Sequence, residues 1–506
     1  MNKKRTAPGQ SSGVIKTLIN SLREYKRPSL QTPAFVSAEV VLECFIPLIM
    51  ARLIDEMTGE TMIPILCYGA ILAVMAMLSL WCGVQSGKAA ATASCGFAHN
   101  LRQDLFFKVQ DFSFADTDRF STSSLVTRIT TDVTNVQNAY QMLIRVAIRT
   151  PLMIIFSVIM SMTISPSLAC IFLVMVPILG VVLFGIAFYV HPIFQRIFKK
   201  YDALNNSVQE NVAAIRVVKS FVRENYETGK FNRAAEEVRK DFTGAEKILA
   251  FNNPVMMFCI YLAMLLVSCL GAQIIIRSGS ASLTTGELST LISYGVQILS
   301  AMMMLSMVFV MCTMATESAQ RIVEILTQES SLTSPENGVT EVPDGSIEFD
   351  HVSFRYSAHS KKDALSDIDV TIRSGQTVGI IGGTGSSKTT LIQLISRLYD
   401  VTAGSVLVGG RDVRTYDLSA LRDAVAVVLQ KNILFSGTIK ENLRWGDNTA
   451  DDAELERVCR LAQADEFIQQ LPQKYDTYIE RGGTNVSGGQ NSVSVSPVHC
   501  LKSQRS

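Results

Sequence analysis

The sequence predicts a chain of two parts: an α-helical membrane domain of six spans with long helical extensions into the cytosol, followed by an α/β domain. Of its 506 residues, 48% are hydrophobic and 18% are charged, against about 25% charged in a typical soluble domain. Six apolar stretches precede residue 315, and strand-like alternation begins only after residue 346. A chain of this length is expected to fold as two or more domains. The net charge of +1 gives no global field that would favour nucleic acid as a partner.

Each apolar stretch approaches the roughly 20 residues that a membrane-spanning helix needs. Glu39 and Glu43 interrupt the first stretch, and the fourth contains Pro177. Membrane helices tolerate proline because neighbouring helices satisfy the freed carbonyl. The six predicted spans are 34–54, 62–84, 146–164, 167–189, 255–276 and 287–312.

The distribution of Lys and Arg predicts the orientation of these spans. The basic tail, residues 1–33, and the long connections 85–145 and 190–254 are rich in Lys and Arg, whereas the short connections carry only Arg52 and Arg277. The positive-inside rule therefore places the tail, the long connections and everything after residue 315 in the cytosol. Structureless loops of such length are uncommon, so we expect the long connections to continue as helices joined by tight turns. The tail has no apolar stretch directly behind it and is expected to carry an interfacial helix rather than a signal peptide.

Two groups of side chains within the spans are candidates for function. Glu39 and Glu43 are four residues apart and share a helix face, and intramembrane carboxylates often mark functional sites. They could equally hydrogen-bond to a neighbouring helix or a hydrated cavity. A methionine cluster either packs helices or lines a cavity for varied apolar cargo. Its members are Met302, Met303, Met304, Met307, Met311 and Met314.

The composition of the sequence changes after the predicted membrane domain, 34–315, and becomes more polar. The linker, 316–346, ends in a polar and Pro/Gly-containing stretch. The segment SIEFDHVSFRY then alternates apolar and polar residues as a strand does. The segment DIDVTIRSGQTVGII predicts two more strands with a turn at Ser374-Gly375. The segment TTLIQLISRLYD predicts a helix.

A glycine-rich loop lies between the apolar VGII segment and this helix. Such a loop lets backbone N–H groups converge on phosphate oxygens at a helix N-terminus. Lys388 would reach the β- and γ-phosphates, and the Thr389 hydroxyl would ligate Mg²⁺. The strict pattern has Gly where this chain has Ser387. The predicted phosphate-binding residues are Gly382, Gly383, Thr384, Gly385, Ser386, Ser387, Lys388, Thr389 and Thr390.

A second motif, Val486-Ser487-Gly488-Gly489-Gln490, follows about 100 residues downstream. It resembles the signature sequence of ATP-binding-cassette proteins, and the chain from about residue 30 to Gln490 resembles the bacterial multidrug and lipid exporter branch of that family. The resemblance implies that the signature of one cassette closes over ATP held by the phosphate loop of another. We therefore expect a dimer of cassettes with ATP and Mg²⁺ as cofactors.

Further positions match the family one by one. Tyr356 matches the aromatic residue that stacks on adenine, although it could be an ordinary edge-strand tyrosine. Gln430 matches the glutamine that senses Mg²⁺, and Glu480 matches an acidic residue of the loop before the signature. The segment DRFSTSSLVTRITTDV resembles the first cytosolic turn that docks on the cassettes. The segment ENVAAIRVVKSFVRE resembles the second, with Ala214 where the family usually has Gly.

The resemblance stops after Gln490. The family continues there with a basic helix, a strand ending in Asp-Glu and a switch histidine, which hold Mg²⁺ and polarise the attacking water. One extra A after the Gln490 codon would convert the tail into KQRLSIARALLKKPKI, the helix that the family has at this point. This pattern predicts a single-base deletion, so that residues 491–506 form an out-of-frame tail. It also predicts that the α/β P-loop nucleotide-binding domain at 347–490 is incomplete, with no catalytic residue present.

Two functions from different classes remain open from the sequence. The chain is either an ATP-driven exporter subunit or a catalytically inactive, truncated membrane protein that binds ATP without hydrolysing it. As an exporter it would work with a second half-transporter subunit, in a homodimer or a heterodimer. It would move an amphipathic drug-like or lipid-like substrate across the cytoplasmic membrane. The lipid bilayer is its other expected partner.

Overall fold

A computed structural model describes residues 8–57, 62–357, 360, 362–428, 434–480, 482–483 and 485–486. The chain forms two compact units. The first contains Met1–Phe107 and Val126–Thr327, and the second contains Lys108–Leu125 and Gln328–Ser506.

Long helices build the first unit. Among the described residues, six helices or helix pairs are long and apolar enough to cross a membrane, and each contains one of the predicted spans. This confirms the six-span membrane domain. The helices of the chain as far as Leu326, of which α4 belongs to the second unit, are α1 (Pro8–Asn20), α2 (Lys26–Glu56), α3 (Met62–Gln110), α4 (Phe114–Arg119), α5 (Thr122–Thr127), α6 (Val133–Ile164), α7 (Pro166–Ala213), α8 (Ile215–Ser220), α9 (Glu224–Ala250), α10 (Asn252–Ser278) and α11 (Thr285–Leu326).

The two long connections continue the spans as helices, as predicted. Helix α3 has 49 residues and α7 has 48, well beyond the roughly 20 needed to span a bilayer. Short helices occupy the tips where the sequence predicted tight turns: α4 and α5 follow α3, and α8 lies between α7 and α9. Ala214, at the junction of α7 and α8, has φ −96° and ψ 15°, a conformation that does not require glycine.

Local sequence explains where the last span begins. Thr284 caps α11 by accepting a hydrogen bond from the Glu287 N–H, and the Glu287 side chain accepts one from the Thr284 N–H. This reciprocal capping satisfies two backbone donors at the helix start. Gly279 ends α10 in the left-handed conformation, with φ 59°, which glycine adopts without steric cost.

Helix α11 packs closely against α2. A Cβ atom at Gly286 would lie 2.1 Å from the Ala51 carbonyl oxygen, so only glycine permits this approach. Thr290 donates to the Pro47 carbonyl at 2.7 Å, and the fully buried Tyr294 donates to the Cys44 carbonyl at 2.6 Å. Hydroxyl donors thus satisfy two α2 carbonyls, one of them at a proline, in an environment without water.

The second unit contains a four-stranded antiparallel sheet in the order β2-β1-β3-β4. Its strands are β1 (Ile347–Phe354), β2 (Leu365–Ile372), β3 (Ala403–Val408) and β4 (Arg411–Asp412). Helices α12 (Lys388–Ile395) and α13 (Leu418–Ala424) accompany the sheet. The core includes Phe349, Val352, Leu394 and Tyr416. The structure confirms the predicted strand SIEFDHVSFRY as β1 and the first strand of the following pair as β2. It also confirms the turn at Ser374-Gly375 and the predicted helix, which is α12.

The sequence predicted a strand immediately before the glycine-rich loop, and this prediction is wrong. Residues 377–381 have no regular secondary structure. Val378 and Ile380 are each 43% exposed and Ile381 is 99% exposed. A short, wholly apolar strand is stable when neighbours on both sides bury it. The four strands of the described sheet pair only with one another, so this segment has no such neighbour there.

A smaller helical cluster completes the second unit. Its elements are β5 (Gly437–Thr438), α14 (Ile439–Leu443), α15 (Asp452–Leu461), α16 (Asp465–Gln469) and β6 (Tyr478–Ile479). Their apolar faces meet around Leu443, Leu455, Val458 and Ile468, all at most 1% exposed. Val486, the first residue of the signature motif, packs against this cluster.

Candidate functional site

The glycine-rich loop ends directly at the N-terminus of α12. Gly385 has φ 83° and Ser387 has φ 60°, both in the left-handed region. Gly383 and Gly385 have open space where a Cβ atom would lie. The loop therefore exposes its backbone on one side while it turns tightly into the helix, as a phosphate cradle requires.

The Lys388 ammonium folds back over this loop. Its Nζ donates to the carbonyl oxygens of Gly382 at 2.8 Å and Gly383 at 2.9 Å, and to Ser386 Oγ at 3.2 Å. These are neutral acceptors, so a negatively charged phosphate oxygen would compete well for the same three donors.

Tyr356 lies beside the same helix. Its hydroxyl is 2.8 Å from Thr390 Oγ1, and Thr390 is buried one position beyond the exposed Thr389. The Tyr356 ring is 53% exposed and packs edge-on against Phe354. A half-exposed aromatic ring thus lies beside the helix that follows the phosphate loop. The adenine-stacking role of Tyr356 stays a prediction.

Sequence reasoning missed two residues behind this aromatic platform. Tyr399 packs edge-on against Tyr356, with ring centroids 5.3 Å apart, and donates its hydroxyl to Asp118 Oδ2 at 2.7 Å. Burial and then the nearby Asp118 raise the pKa of Tyr399. The two residues are 281 positions apart in the sequence, so no local pattern could have paired them.

Asp118 belongs to α4, the short helix in the first predicted cytosolic turn. Asp116 anchors this helix by accepting hydrogen bonds from Ser113 N–H, Ser113 Oγ and Ser331 N–H at 3.1, 2.7 and 3.0 Å. Burial acts to raise the pKa of Asp116, but the hydrogen bonds from Ser331 and Ser113 outweigh it and hold the pKa below its usual range. The part of the predicted docking turn up to Leu125 therefore belongs to the same compact unit as the sheet.

Several predicted site residues lie outside the described residues. These are Gln430, Ser487, Gly488, Gly489 and Gln490, together with the tail 491–506.

The chain just before the signature is described. Asn485 donates to the Tyr478 carbonyl at 2.9 Å and accepts from the Glu480 N–H at 3.0 Å. These bonds join Asn485 to the chain at Tyr478 and Glu480.

The predicted intramembrane carboxylates form an ion pair with another helix. Arg149 of α6 contacts Glu39 Oε1 at 2.5 Å and Glu43 Oε2 at 2.7 Å. The members of the methionine cluster differ in exposure. Met302 is buried in the core, whereas Met303, Met304, Met307 and Met314 are about half exposed and Met311 is half-buried.

The first unit also contains an apolar cavity of about 410 Å³. Helices α1, α3, α6 and α11 line it with residues that include Ile15, Phe97, Leu143 and Cys312. Gln320 is among the few polar residues in the lining. A cavity of this size and composition suits an apolar group of a small molecule.

The comparisons with known proteins agree with this architecture. Residues 34–311 match the family "ABC transporter transmembrane region", and residues 365–496 match the family "ABC transporter".

Several relatives match most of this chain over most of their own length. "Uncharacterized ABC transporter ATP-binding protein YfiB" of Bacillus subtilis is 34% identical over 89% of this chain and 78% of its own length. "Uncharacterized ABC transporter ATP-binding protein Rv1273c" of Mycobacterium tuberculosis is 33% identical over 94% of this chain and 82% of its own length. "Uncharacterized ABC transporter ATP-binding protein YknU" of Bacillus subtilis is 30% identical over 80% of this chain and 68% of its own length.

The fold and the phosphate loop together define a membrane transporter with its own nucleotide-binding domain. The chain belongs to the ABC transporter family and has the exporter-type arrangement of a half-transporter. It is a multi-pass membrane protein, and its second domain binds ATP. The open glycine cradle and the redirectable Lys388 ammonium fit the phosphates of that nucleotide. The comparisons give no support to the alternative of an inactive product.

Proposed function

We propose that this chain drives the export of an amphipathic drug-like or lipid-like substrate across the cytoplasmic membrane, as one subunit of a dimeric ABC transporter. The observation that carries the proposal is the phosphate loop with its aromatic platform, on the same chain as six apolar spans. The apolar cavity and the half-exposed methionines of α11 support an amphipathic, adaptable cargo site. The tail and the ATP-binding domain face the cytosol in this proposal.

Each residue near the loop has a distinct role in holding ATP and Mg²⁺. Lys388 leaves the loop carbonyls and pairs with the phosphates, and Tyr356 stacks on the adenine. The exposed Thr389 hydroxyl is a ligand for Mg²⁺, with Gln430 as a further one. Bound Mg²⁺ neutralises phosphate charge. None of these residues activates water, so the assigned site is a nucleotide-binding site.

A second subunit completes the nucleotide site. ABC half-transporters generally dimerise, and residues Ser487, Gly488, Gly489 and Gln490 would close over ATP held by the partner. We propose the domain boundaries 34–315 for the membrane domain, 316–346 for the linker and 347–490 for the cassette. The matched ranges 34–311 and 365–496 support them.

Inverted membrane vesicles provide the test. Vesicles from cells that express the chain together with its partner subunit should accumulate an amphipathic fluorescent dye when ATP is added. They should not do so with a non-hydrolysable analogue, nor when the chain carries Lys388→Ala. Lys474→Ala, an exposed lysine of the cassette, is the matched control and should transport normally. Dye accumulation that is independent of ATP, or unchanged by Lys388→Ala, would contradict the proposal.

A further inference from the structure

The chain passes between the two compact units three times. It enters the second unit after Phe107, returns to the first after Leu125, and enters the second again after Thr327. Any movement of the second unit is passed to the membrane helices at least through these covalent connections. A helical stretch runs from the second connection into α6, and α11 ends next to the third.

A π-helical turn, Arg128–Asp132, joins the second connection to α6. Both of its end residues are buried although they carry charge: Arg128 is 8% exposed and Asp132 is 1% exposed. Turns of this kind are rare and occur frequently at functional sites. A buried carboxylate and a buried guanidinium also need partners, and α11 supplies them.

Helix α11 binds both oxygens of the Asp132 carboxylate. Oδ2 accepts from Arg321 Nε at 2.8 Å, and Oδ1 accepts from Arg321 Nη2 at 2.5 Å and from Ser318 Oγ at 2.9 Å. Asn135, in the first turn of α6, donates to the same Ser318 hydroxyl at 3.2 Å. A bidentate pair of this kind fixes an orientation as well as a distance, which a lysine could not do.

A second set of contacts extends this network toward the end of α11. Arg128 Nη1 donates to the Arg321 carbonyl at 2.8 Å and pairs with Glu324 Oε2 at 2.8 Å. Arg128 follows Leu125 by three residues, and Glu324 precedes Thr327 by three residues. The network therefore ties together, within the first unit, the two chain segments next to the second and third connections.

We propose that this network is a clamp that makes α6 and α11 move together when the second unit moves during the ATP cycle. The clamp consists of Arg128, Asp132, Ser318, Arg321 and Glu324. Asp132 is its positioning residue: it touches neither ATP nor cargo and acts by holding the side chains of α11. The inference rests on the proposed function for the ATP-driven movement itself. Without the clamp, one connection follows the second unit while the other stays, and ATP is hydrolysed with less transport.

Stability alone accounts poorly for such a network. Burying charges carries a desolvation penalty that their mutual attraction often only balances, and apolar side chains of similar size frequently stabilise a buried site as well or better. A bidentate ion pair contributes a fixed geometry between two helices instead. The two explanations also predict different results when both charged partners are removed.

Variants of Asp132 and Arg321 separate folding from coupling. Arg321→Gln should destabilise the first unit, because it leaves the buried Asp132 carboxylate without its guanidinium. Asp132→Asn should be milder, because the Arg321 side chain is 50% exposed and can turn to water. The double variant Asp132→Asn/Arg321→Gln removes the buried charge together with its partner and should regain most of the lost stability. A purely structural network predicts normal transport in this double variant, whereas a clamp predicts impaired transport.

Inverted vesicles that contain the chain and its partner subunit measure the coupling as dye accumulated per ATP hydrolysed. In the double variant, ATP turnover should stay close to normal while dye per ATP falls about tenfold, within the range for mutations along a coupling path. Arg321→Lys keeps the charge without the bidentate contact and should give an intermediate ratio. Glu317→Gln changes an exposed charge next to Ser318 and is the matched control, which should transport normally. A normal ratio in the folded double variant would overturn the proposal.

Hydrogen–deuterium exchange tests the clamp independently of transport. When ATP is added to the purified transporter, backbone exchange in residues 126–137 and in residues 313–326 should change together. In the double variant, ATP should change the exchange of only one of these two segments. A joint response that survives in the double variant would overturn the proposal, as would the absence of a response from both segments of the unaltered protein.

The two measurements distinguish failure of the clamp from failure of the proposed function. A joint exchange response without any ATP-dependent dye accumulation would refute the proposed function and leave the clamp in place. Normal dye accumulation per ATP in the double variant would refute the clamp and leave the proposed function in place.

Discussion

Ser387 occupies the position in the phosphate loop where the strict pattern has glycine. Its φ of 60° lies in the left-handed region, and its side chain forms no capping hydrogen bond at the start of α12. A residue with a Cβ atom is strained in this conformation by roughly 1–2 kcal/mol. Ser387→Gly should relieve the strain and leave every other contact of the loop in place.

The net effect is smaller than the strain itself. Glycine gives the unfolded loop more freedom, which opposes the gain by about 0.4–1 kcal/mol. The difference leaves a net gain of about 0.5–1 kcal/mol in the stability of the turn into α12. Strain that is present in the loop with and without nucleotide cancels in the affinity for ATP. The gain should therefore appear in the free energy of unfolding of the second unit.

Thermal unfolding of the purified chain measures this change. Ser387→Ala keeps the Cβ atom and is the matched control, so it should unfold like the unaltered chain. Ser386→Gly removes a hydroxyl that accepts from Lys388 but relieves no strain, because Ser386 does not have positive φ. Stability that falls in Ser387→Gly, or rises equally in Ser387→Ala, would refute the strain argument.

Three further predictions concern the second unit. Tyr356→Ala should weaken binding of ATP and GTP alike by about 1–3 kcal/mol, the usual contribution of stacking on a base; Tyr356→Phe keeps the ring and should bind nearly normally in a titration with fluorescent analogues of the two nucleotides. Tyr399→Phe removes the donor to Asp118 and should cost about 1 kcal/mol, seen as faster proteolysis within residues 108–125; unchanged digestion would exclude an anchoring role. Asp116→Asn should lower the stability of the second unit by about 1–3 kcal/mol in thermal unfolding. Because the folded pKa of Asp116 is depressed, its contribution is present above the unfolded value of about 3.9 and is lost as pH falls through the folded pKa. A difference between the unaltered chain and Asp116→Asn that persists at the lowest pH would contradict this assignment.

Apolar length sufficed to predict the six spans of the membrane domain. Each predicted span lies inside one described helix, because a bilayer imposes a minimum apolar length that the sequence must display. The same patterns could not predict which side chains meet between helices. Glu39 and Arg149 are 110 residues apart, and their pairing depends on how α2 packs against α6.

The second unit shows a limit of local pattern. The segment VGII has the composition of a buried strand, yet Ile381 is almost fully exposed. Strand formation depends on the neighbours that accept its hydrogen bonds, which the segment itself does not encode. The predicted helix after the loop is confirmed at α12, which the chain enters through the positive φ angles of Gly385 and Ser387.

The residues that support the site were not visible in the sequence. Tyr399 and Asp118 come from distant segments, and their contact follows from the docking of α4 within the second unit. The assignments of Gln430 and residues 487–490, together with the out-of-frame tail at 491–506, stay predictions, because they lie outside the described residues.

Binding of ATP at Lys388 tests the central claim most directly. The purified chain should bind a fluorescent ATP analogue saturably, and unlabelled ATP should compete for the site. In Lys388→Ala the affinity should fall at least tenfold, since a charge-assisted interaction with phosphate contributes about 1.5–3 kcal/mol. Lys474→Ala, an exposed lysine in the same unit, should bind normally. Equal binding by the unaltered chain and Lys388→Ala would show that the glycine-rich loop does not hold the nucleotide.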